Sequence, residues 1–358
     1  MGMFKDMLSA DQTLFRNTVA LDYDFIPKVI PYREQEQRII ANCIKPLFQS
    51  ANGRNLLIYG PPGIGKTVAC KHLVNELEEE TEEIIPLYIN CWQKNSSYKI
   101  LMEICDLLGY KFTHNKKTDE LFNIVKSMIN KKSAVFIFDE ADKVEDTDFL
   151  YFILEEIYKK TIILITNHKE LVLDFDDRIK SRLMAQLLEF RAYDLKETTG
   201  IMKERLDSAF YEGVWEAEPF SIATKKAYDM KDIRTGLFLL KEAGHAAEDE
   251  SSKNITETHM QTALKKLDEF TIKKKTSLED DTQTILDLIK GNSGKKIGEL
   301  FDTYVKEGGK GVYKTFQRKI KHLADNKFIS LEKSGGGSEG NTTIVTFSGN
   351  KTLNDFGK

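Results

Sequence analysis

The chain has 358 residues, 41% of them apolar, and a formal net charge of −4. That length exceeds one typical core, so two or three domains are expected, and the near balance of charge excludes a chain that is basic throughout while leaving room for local patches. No apolar run reaches about 18 residues and no signal-peptide pattern is present, which excludes a helical membrane span and points to the cytoplasm.

Residues 1–27 are polar and mixed and read as an arm lying on the first domain. The short apolar segment around Ile30 and Tyr32 is placed to cover an adenine, and a helical pattern follows with Ile39, Ile40, Cys43, Ile44 and Leu47. Asn55-Leu56-Leu57-Ile58-Tyr59 reads as a buried strand, and 68–77 has helical spacing with apolar residues at Ala69, Leu73 and Leu77. Between them stands Gly60-Pro61-Pro62-Gly63-Ile64-Gly65-Lys66-Thr67. Glycines let successive backbone N–H groups turn around phosphate oxygens, and the helix N-terminus adds partial positive charge. Lys66 reaches the β- and γ-phosphates, and Thr67 offers a hydroxyl to Mg²⁺. A glycine turn that merely caps a helix is the plainer alternative, but it does not require Lys and Thr at these positions between a strand and a helix. The candidate nucleotide-binding residues here are Gly60, Pro62, Gly63, Ile64, Gly65, Lys66, Thr67 and Val68.

Residues 84–91 read as a second strand in which Pro86 suits an edge position. The continuous apolar run 133–138 delivers Asp139 and Glu140 at its C-terminal end, where ligands bind in open parallel sheets. An Asp there holds Mg²⁺ through water, and the adjacent Glu polarises an attacking water. The run 161–167 ends in Asn167, which can orient the same water; a solvated strand end is the alternative for all three. The four cysteines, Cys43, Cys70, Cys91 and Cys105, form no CxxC pair and lie in apolar segments, so buried thiols are expected rather than disulfides or zinc ligands.

From Tyr193 onward helical patterns dominate, over 197–210, 221–230, 232–248 and 257–270, and form a separate helical lid. Residues 273–277 read as a linker. Three short helical patterns, 281–290, 297–306 and 312–326, precede two strand-like runs, 328–331 and 342–347, that flank a Gly-rich tip at 334–338; together they make a winged helix-turn-helix. Between Lys290 and Lys333 there are 11 Lys or Arg against 5 Asp or Glu, an excess suited to a phosphate backbone. Lys314, Gln317, Arg318 and Lys321 share one face of the third helix, either as a recognition helix or as a solvated charged face.

With these residues in place, the chain resembles the AAA+ ATPases, and within them the archaeal replication initiators that are single-chain relatives of the eukaryotic origin recognition complex. The resemblance runs from about Phe25 to Phe347. Val29-Ile30-Pro31-Tyr32-Arg33-Glu34-Gln35-Glu36 looks like the family's N-terminal nucleotide segment, with Tyr32 where His is common. Ser97-Tyr98-Lys99-Ile100-Leu101 looks like the start of the initiator insertion, which implies DNA contacts from Ser97, Tyr98 and Lys99. The segment 177–183 resembles the one carrying the arginine finger, where Arg182 fits best, although the same Arg could instead anchor the lid. Tyr193 with Arg205 is similar to a nucleotide-contacting pair, and 232–237 resembles the lid's sensor segment, with Arg234 aimed at the γ-phosphate and Lys231 where Gly is usual.

The implied architecture is an α/β P-loop AAA+ parallel-sheet domain over 1–192, a helical lid over 193–275 and a C-terminal winged-helix domain over 276–358. The implied function is that of an ATP-dependent replication initiator and slow ATPase, using ATP/ADP and Mg²⁺ held by Thr67 and Asp139. It would bind double-stranded origin DNA in the nucleoid, assemble as a homo-oligomer there, recruit the replicative helicase and have no membrane partner. Two alternatives stay open: a regulatory P-loop ATPase with a winged helix acting in transcription or signalling, and a nucleotide-locked DNA-binding module with little turnover.

Overall fold

The apolar runs read from the sequence become a parallel sheet. The structure, a computed structural model, describes residues 13–309, 311–325, 328–334 and 342–347. Strands β1 (Leu56–Tyr59), β2 (Ile84–Asn90), β3 (Ser133–Asp139), β4 (Lys160–Thr166) and β5 (Gln186–Glu189) lie in the order β2-β3-β4-β1-β5, every neighbouring pair parallel. Pro86 falls on β2, an edge strand that pairs with β3 alone in this sheet, so its missing N–H costs the ladder little.

Successive strand residues point to opposite faces, and both faces are covered. Val135 and Ile137 of β3 pack with helices α1 (Glu34–Ile44) and α2 (Lys66–Glu80) through Ile40, Cys43, Ala69 and Cys70. Phe136 and Phe138 face α3 (Ser97–Leu107), α4 (Thr118–Ile129) and α5 (Asp148–Glu156) through Ile100, Leu121 and Phe149. This is why these strands read as continuous apolar runs rather than alternating ones. All seven residues of β3 are buried, so Asp139 is carried into the interior at its C-terminal end. Helix α6 (Asp177–Leu183) precedes β5. All four cysteines are free and buried, as expected.

The chain divides into two compact units, Met1–Leu264 and Lys265–Lys358. The first unit also holds the lid helices α7 (Leu195–Ala209), α8 (Ala217–Asp229) and α9 (Ile233–Asp249). A capping box opens α7: Asp194 accepts from the Glu197 N–H at 2.8 Å, and Glu197 accepts from the Asp194 N–H at 2.9 Å. The described part of the N-terminal arm lies on this lid rather than on the sheet layer. Phe15 packs against Phe210 with ring centroids 4.5 Å apart and the rings tilted by 31°, the Arg16 and Asn17 N–H groups donate to the Ala209 carbonyl, and Lys241 pairs with Asp22 at 2.8 Å. Gly244 of α9 allows the close approach, since a Cβ there would lie 2.4 Å from the Phe15 ring.

Residues 273–277 are not a break. One helix, α10 (Glu257–Gly291), runs through them, because lysine and threonine can both be helical and neither Gly nor Pro interrupts the stretch. In the second unit, α11 (Ile297–Lys306), α12 (Tyr313–Asp325) and an antiparallel sheet of β6 (Lys295–Lys296), β8 (Thr342–Phe347) and β7 (Ile329–Ser334), in that order, share one core. Ile285, Ile289, Leu300, Phe316, Ile320, Leu323 and Val345 fill it, each fully buried side chain of this kind contributing roughly 1.5–3 kcal/mol. This is the winged-helix order of helices and hairpin. The tip residues 335–340 lie outside the described residues. No helix among the described residues is long and apolar enough to cross a membrane.

Candidate functional site

A cleft of about 960 Å³ opens at the C-terminal end of the sheet, between the loop after β1, the lid and the arm. Gly60 and Gly63 let the loop close in. Gly60 has φ +149°, and a Cβ there would lie 2.3 Å from the Phe190 carbonyl oxygen; Gly63 has φ +74°, and a Cβ would lie 2.0 Å from an Asp232 carboxylate oxygen. Asp232 also caps α9 by accepting from the Arg234 N–H at 2.8 Å, and the Ile233 N–H donates to the Gly63 carbonyl at 3.3 Å. The lid thereby sets Arg234 on the cleft wall.

The Lys66 ammonium donates to the carbonyl oxygens of Gly60 and Pro61, each at 2.7 Å, and to Asn167 Oδ1 at 2.9 Å. Burial lowers its pKa to about 8, against the upward pull of Asp139 and Glu140. Thr67 Oγ1 donates to Asp139 Oδ2 at 2.6 Å. Burial, and then the neighbouring carboxylates of Asp139 and Asp142, push the Glu140 carboxyl above its ordinary range. Glu140 also sits in left-handed backbone at φ 55°, which turns the chain out of β3 at this point.

Asp139, Glu140, Asn167, Arg234, Ile30, Tyr193 and Arg205 all line this one cleft with Pro62, Gly63, Ile64, Gly65, Lys66, Thr67 and Val68. A desolvated cation at a helix start, glycine backbone and a buried carboxylate beside a hydroxyl are the donor set that nucleotide phosphates and a hard divalent cation require. No group of three or more His, Cys, Asp and Glu that could hold a metal ion is present among the described residues.

Residues 50–172 match the profile of the AAA domain, and residues 199–265 match that of the Cdc6 AAA+ ATPase-type lid domain. ORC1-type DNA replication protein 1 of Sulfurisphaera tokodaii is 30% identical over 87% of this chain and 83% of its own length. ORC1-type DNA replication protein 2 of Methanothermobacter thermautotrophicus is 27% identical over 95% and 94%. The chain belongs to the ORC1-type DNA replication proteins. The fold of the Aeropyrum pernix ORC1 protein, solved in complex with DNA, superposes with a TM-score of 0.70 at 22% identity and covers 94% of each chain.

Several expected positions of this ORC1-type chain fall elsewhere. Tyr32 does not line the cleft: its ring lies against Gly200 of α7, where a Cβ would be 2.2 Å from the Tyr32 hydroxyl. Arg205 lines the cleft, but its guanidinium donates to the carbonyls of Ala20 at 3.1 Å and Phe25 at 3.3 Å, fastening the arm. Arg182 stands on α6, ion-paired with Glu155 and 5.6 Å over the Tyr151 ring, outside the cleft lining. Ser97 is not a surface contact: it is 5% exposed, its hydroxyl donates to Asp146 and accepts from the Phe149 N–H, and its role is to anchor the start of α3. Tyr98 and Lys99 are exposed beside it, and Lys314, Gln317, Arg318 and Lys321 are exposed on α12.

Two residues that support the site from behind escaped the sequence. Arg33 is fully buried between the rings of Phe190 and Tyr193. It donates to the Tyr193 hydroxyl at 3.0 Å, the Ile64 carbonyl at 3.1 Å and the Arg191 carbonyl at 2.6 Å, tying the phosphate loop to the chain that enters the lid. Tyr88 reaches Asp139 from β2, two residues before Asn90, which pairs with Asp139 across the strands; nothing in the sequence pattern marks it.

Proposed function

We propose that this chain is an ATP-dependent replication initiator that binds double-stranded origin DNA and helps to recruit the replicative helicase. The observation that carries the nucleotide half is the convergence of Lys66, Asp139, Glu140, Asn167 and Arg234 on one cleft. The DNA half is supported by family membership, by the exposed basic face of α12 and by the DNA-bound state of the A. pernix relative. Tyr98 and Lys99 on α3 offer a second set of contacts from the first unit. The working division is an ATPase domain over 1–192, a lid over 193–275 and a winged-helix domain over 276–358.

Lys66 holds the β- and γ-phosphates, Asn167 orients water, Glu140 draws its proton and Arg234 reads the γ-phosphate from the lid. Thr67 and Asp139 would hold Mg²⁺, which supplies charge neutralisation on the phosphates. Arg182, engaged with Glu155 away from this chain's own cleft, serves the nucleotide of a second copy assembled on DNA. Turnover is slow in this reading, because the arm at Phe25 and the segment that follows it at Ile30 both line the cleft and stand in the way of nucleotide exchange. Nucleotide binding and single-turnover hydrolysis test these roles: Lys66→Ala abolishes ATP binding, Glu140→Ala binds ATP without cleaving it, and Arg182→Ala loses only the rate gained on assembly. Equal loss of binding in the first two variants would contradict the assignment.

A further inference from the structure

The mechanism above makes no use of the Tyr88 hydroxyl. Tyr88 lies on the edge strand β2, next to the strand that carries Asp139, and its ring sits 4.9 Å beneath the Lys71 ammonium of α2. Its hydroxyl donates to Asp139 Oδ2 at 2.6 Å. Thr67 donates to that same oxygen at 2.6 Å, while the Glu140 N–H donates to the other, Oδ1, at 2.9 Å. Asp139 is 4% exposed, so water does not readily replace a lost partner.

A carboxylate held at both oxygens cannot rotate without breaking a bond. The two hydroxyls on Oδ2 differ in what else they do, because Thr67 is also a candidate cation ligand and Tyr88 is not. Among the described residues the Tyr88 hydroxyl bonds to this carboxylate alone, while its ring packs beneath Lys71 and lines the cleft.

We propose that Tyr88 is a positioning residue that fixes the orientation of the Asp139 carboxylate and thereby sets the divalent-cation affinity of the nucleotide site. This rests on the nucleotide reading of the cleft. Hydrogen-bond partners behind a metal-ligating side chain typically change metal affinity by about 10–100-fold. The plainer account, that Tyr88 only fills space at the sheet edge, predicts no change in cation response when the hydroxyl alone is removed.

The test uses the full chain with Tyr88→Phe, which keeps the ring and its place beneath Lys71. A fluorescent ATP analogue is titrated in chelator and at rising Mg²⁺, and Mn²⁺ binding in the presence of nucleotide is followed by paramagnetic resonance. Affinity in chelator stays at the wild-type value, while the Mg²⁺ needed for half-maximal response and the Mn²⁺ dissociation constant each rise about tenfold. Adding Tyr88→Phe to Asp139→Asn causes no further change, because the hydroxyl acts through that carboxylate. Unchanged cation response, an equal loss in chelator, or an additive loss in the Asp139→Asn background overturns the role of Tyr88 alone. A wild-type chain that binds no nucleotide, or ignores Mg²⁺, removes the nucleotide reading itself and the proposal with it.

Discussion

Lys66 shows how one residue is poised by its surroundings. Its ammonium is held by carbonyl oxygens in a largely desolvated place, and burial brings its pKa to about 8. Phosphate charge favours the protonated form, so bound nucleotide draws the pKa back up. The Lys66 contribution to ATP affinity should be flat below about pH 8 and weaken by up to tenfold per unit above it, with proton uptake on binding in that range. In the free protein this same group contributes with the opposite sign: the folded state sheds its proton before the unfolded state does, so stability from Lys66 rises with pH through that window. Calorimetry at several pH values checks both, and an ATP affinity that does not fall above pH 8 would count against Lys66 as the phosphate ligand. Lys231 is a second residue whose surroundings matter. It holds φ 52° just before the cap of α9, so the turn keeps the left-handed geometry that Gly favours at a cost of roughly 1–2 kcal/mol.

Among the elements, legibility followed burial. β3 and β4 are apolar along their length because both faces are covered, and both were evident in the sequence. β5 was not, since Leu188 is the one buried residue of its four and the strand is recruited by pairing with β1. The phosphate loop was legible because its chemistry fixes residue types at fixed spacings. Arg33 was not, because a buried guanidinium satisfied by distant carbonyls has the same sequence signature as an exposed one. Ser97 misled for another reason: the resemblance to the initiator insertion places it at the start of a DNA-contacting segment, but does not show that Asp146 bonds it inside the fold. The face of α12 belongs to this scale as well. If Arg318 reads a base edge, Arg318→Ala weakens binding to the preferred duplex by about 1–3 kcal/mol and relaxes preference; if it touches only phosphate, affinity falls evenly and the salt slope flattens by about one. Equal binding by wild type and variant on specific and scrambled duplexes would mean that this face is only solvated.

At the scale of the whole molecule, two units divide the work: a nucleotide cleft closed by a lid and an arm lies in the first, and a small helical and hairpin core that presents α12 lies in the second. The overall charge of −4 gives no hint of this, because the basic excess is confined to the second unit and its surface helix. Phosphate contacts from such a surface give affinity for any duplex, whereas an initiator must also discriminate. The central claim is therefore one of selectivity. The measurement that tests it is the affinity of the full chain, with ATP and Mg²⁺ at several salt concentrations, for duplex fragments tiled across its own genome and for scrambled duplexes of the same composition. A few fragments bound at least about 10³-fold more tightly than the scrambled duplexes are predicted; equal affinity for every fragment at every salt concentration would contradict the account.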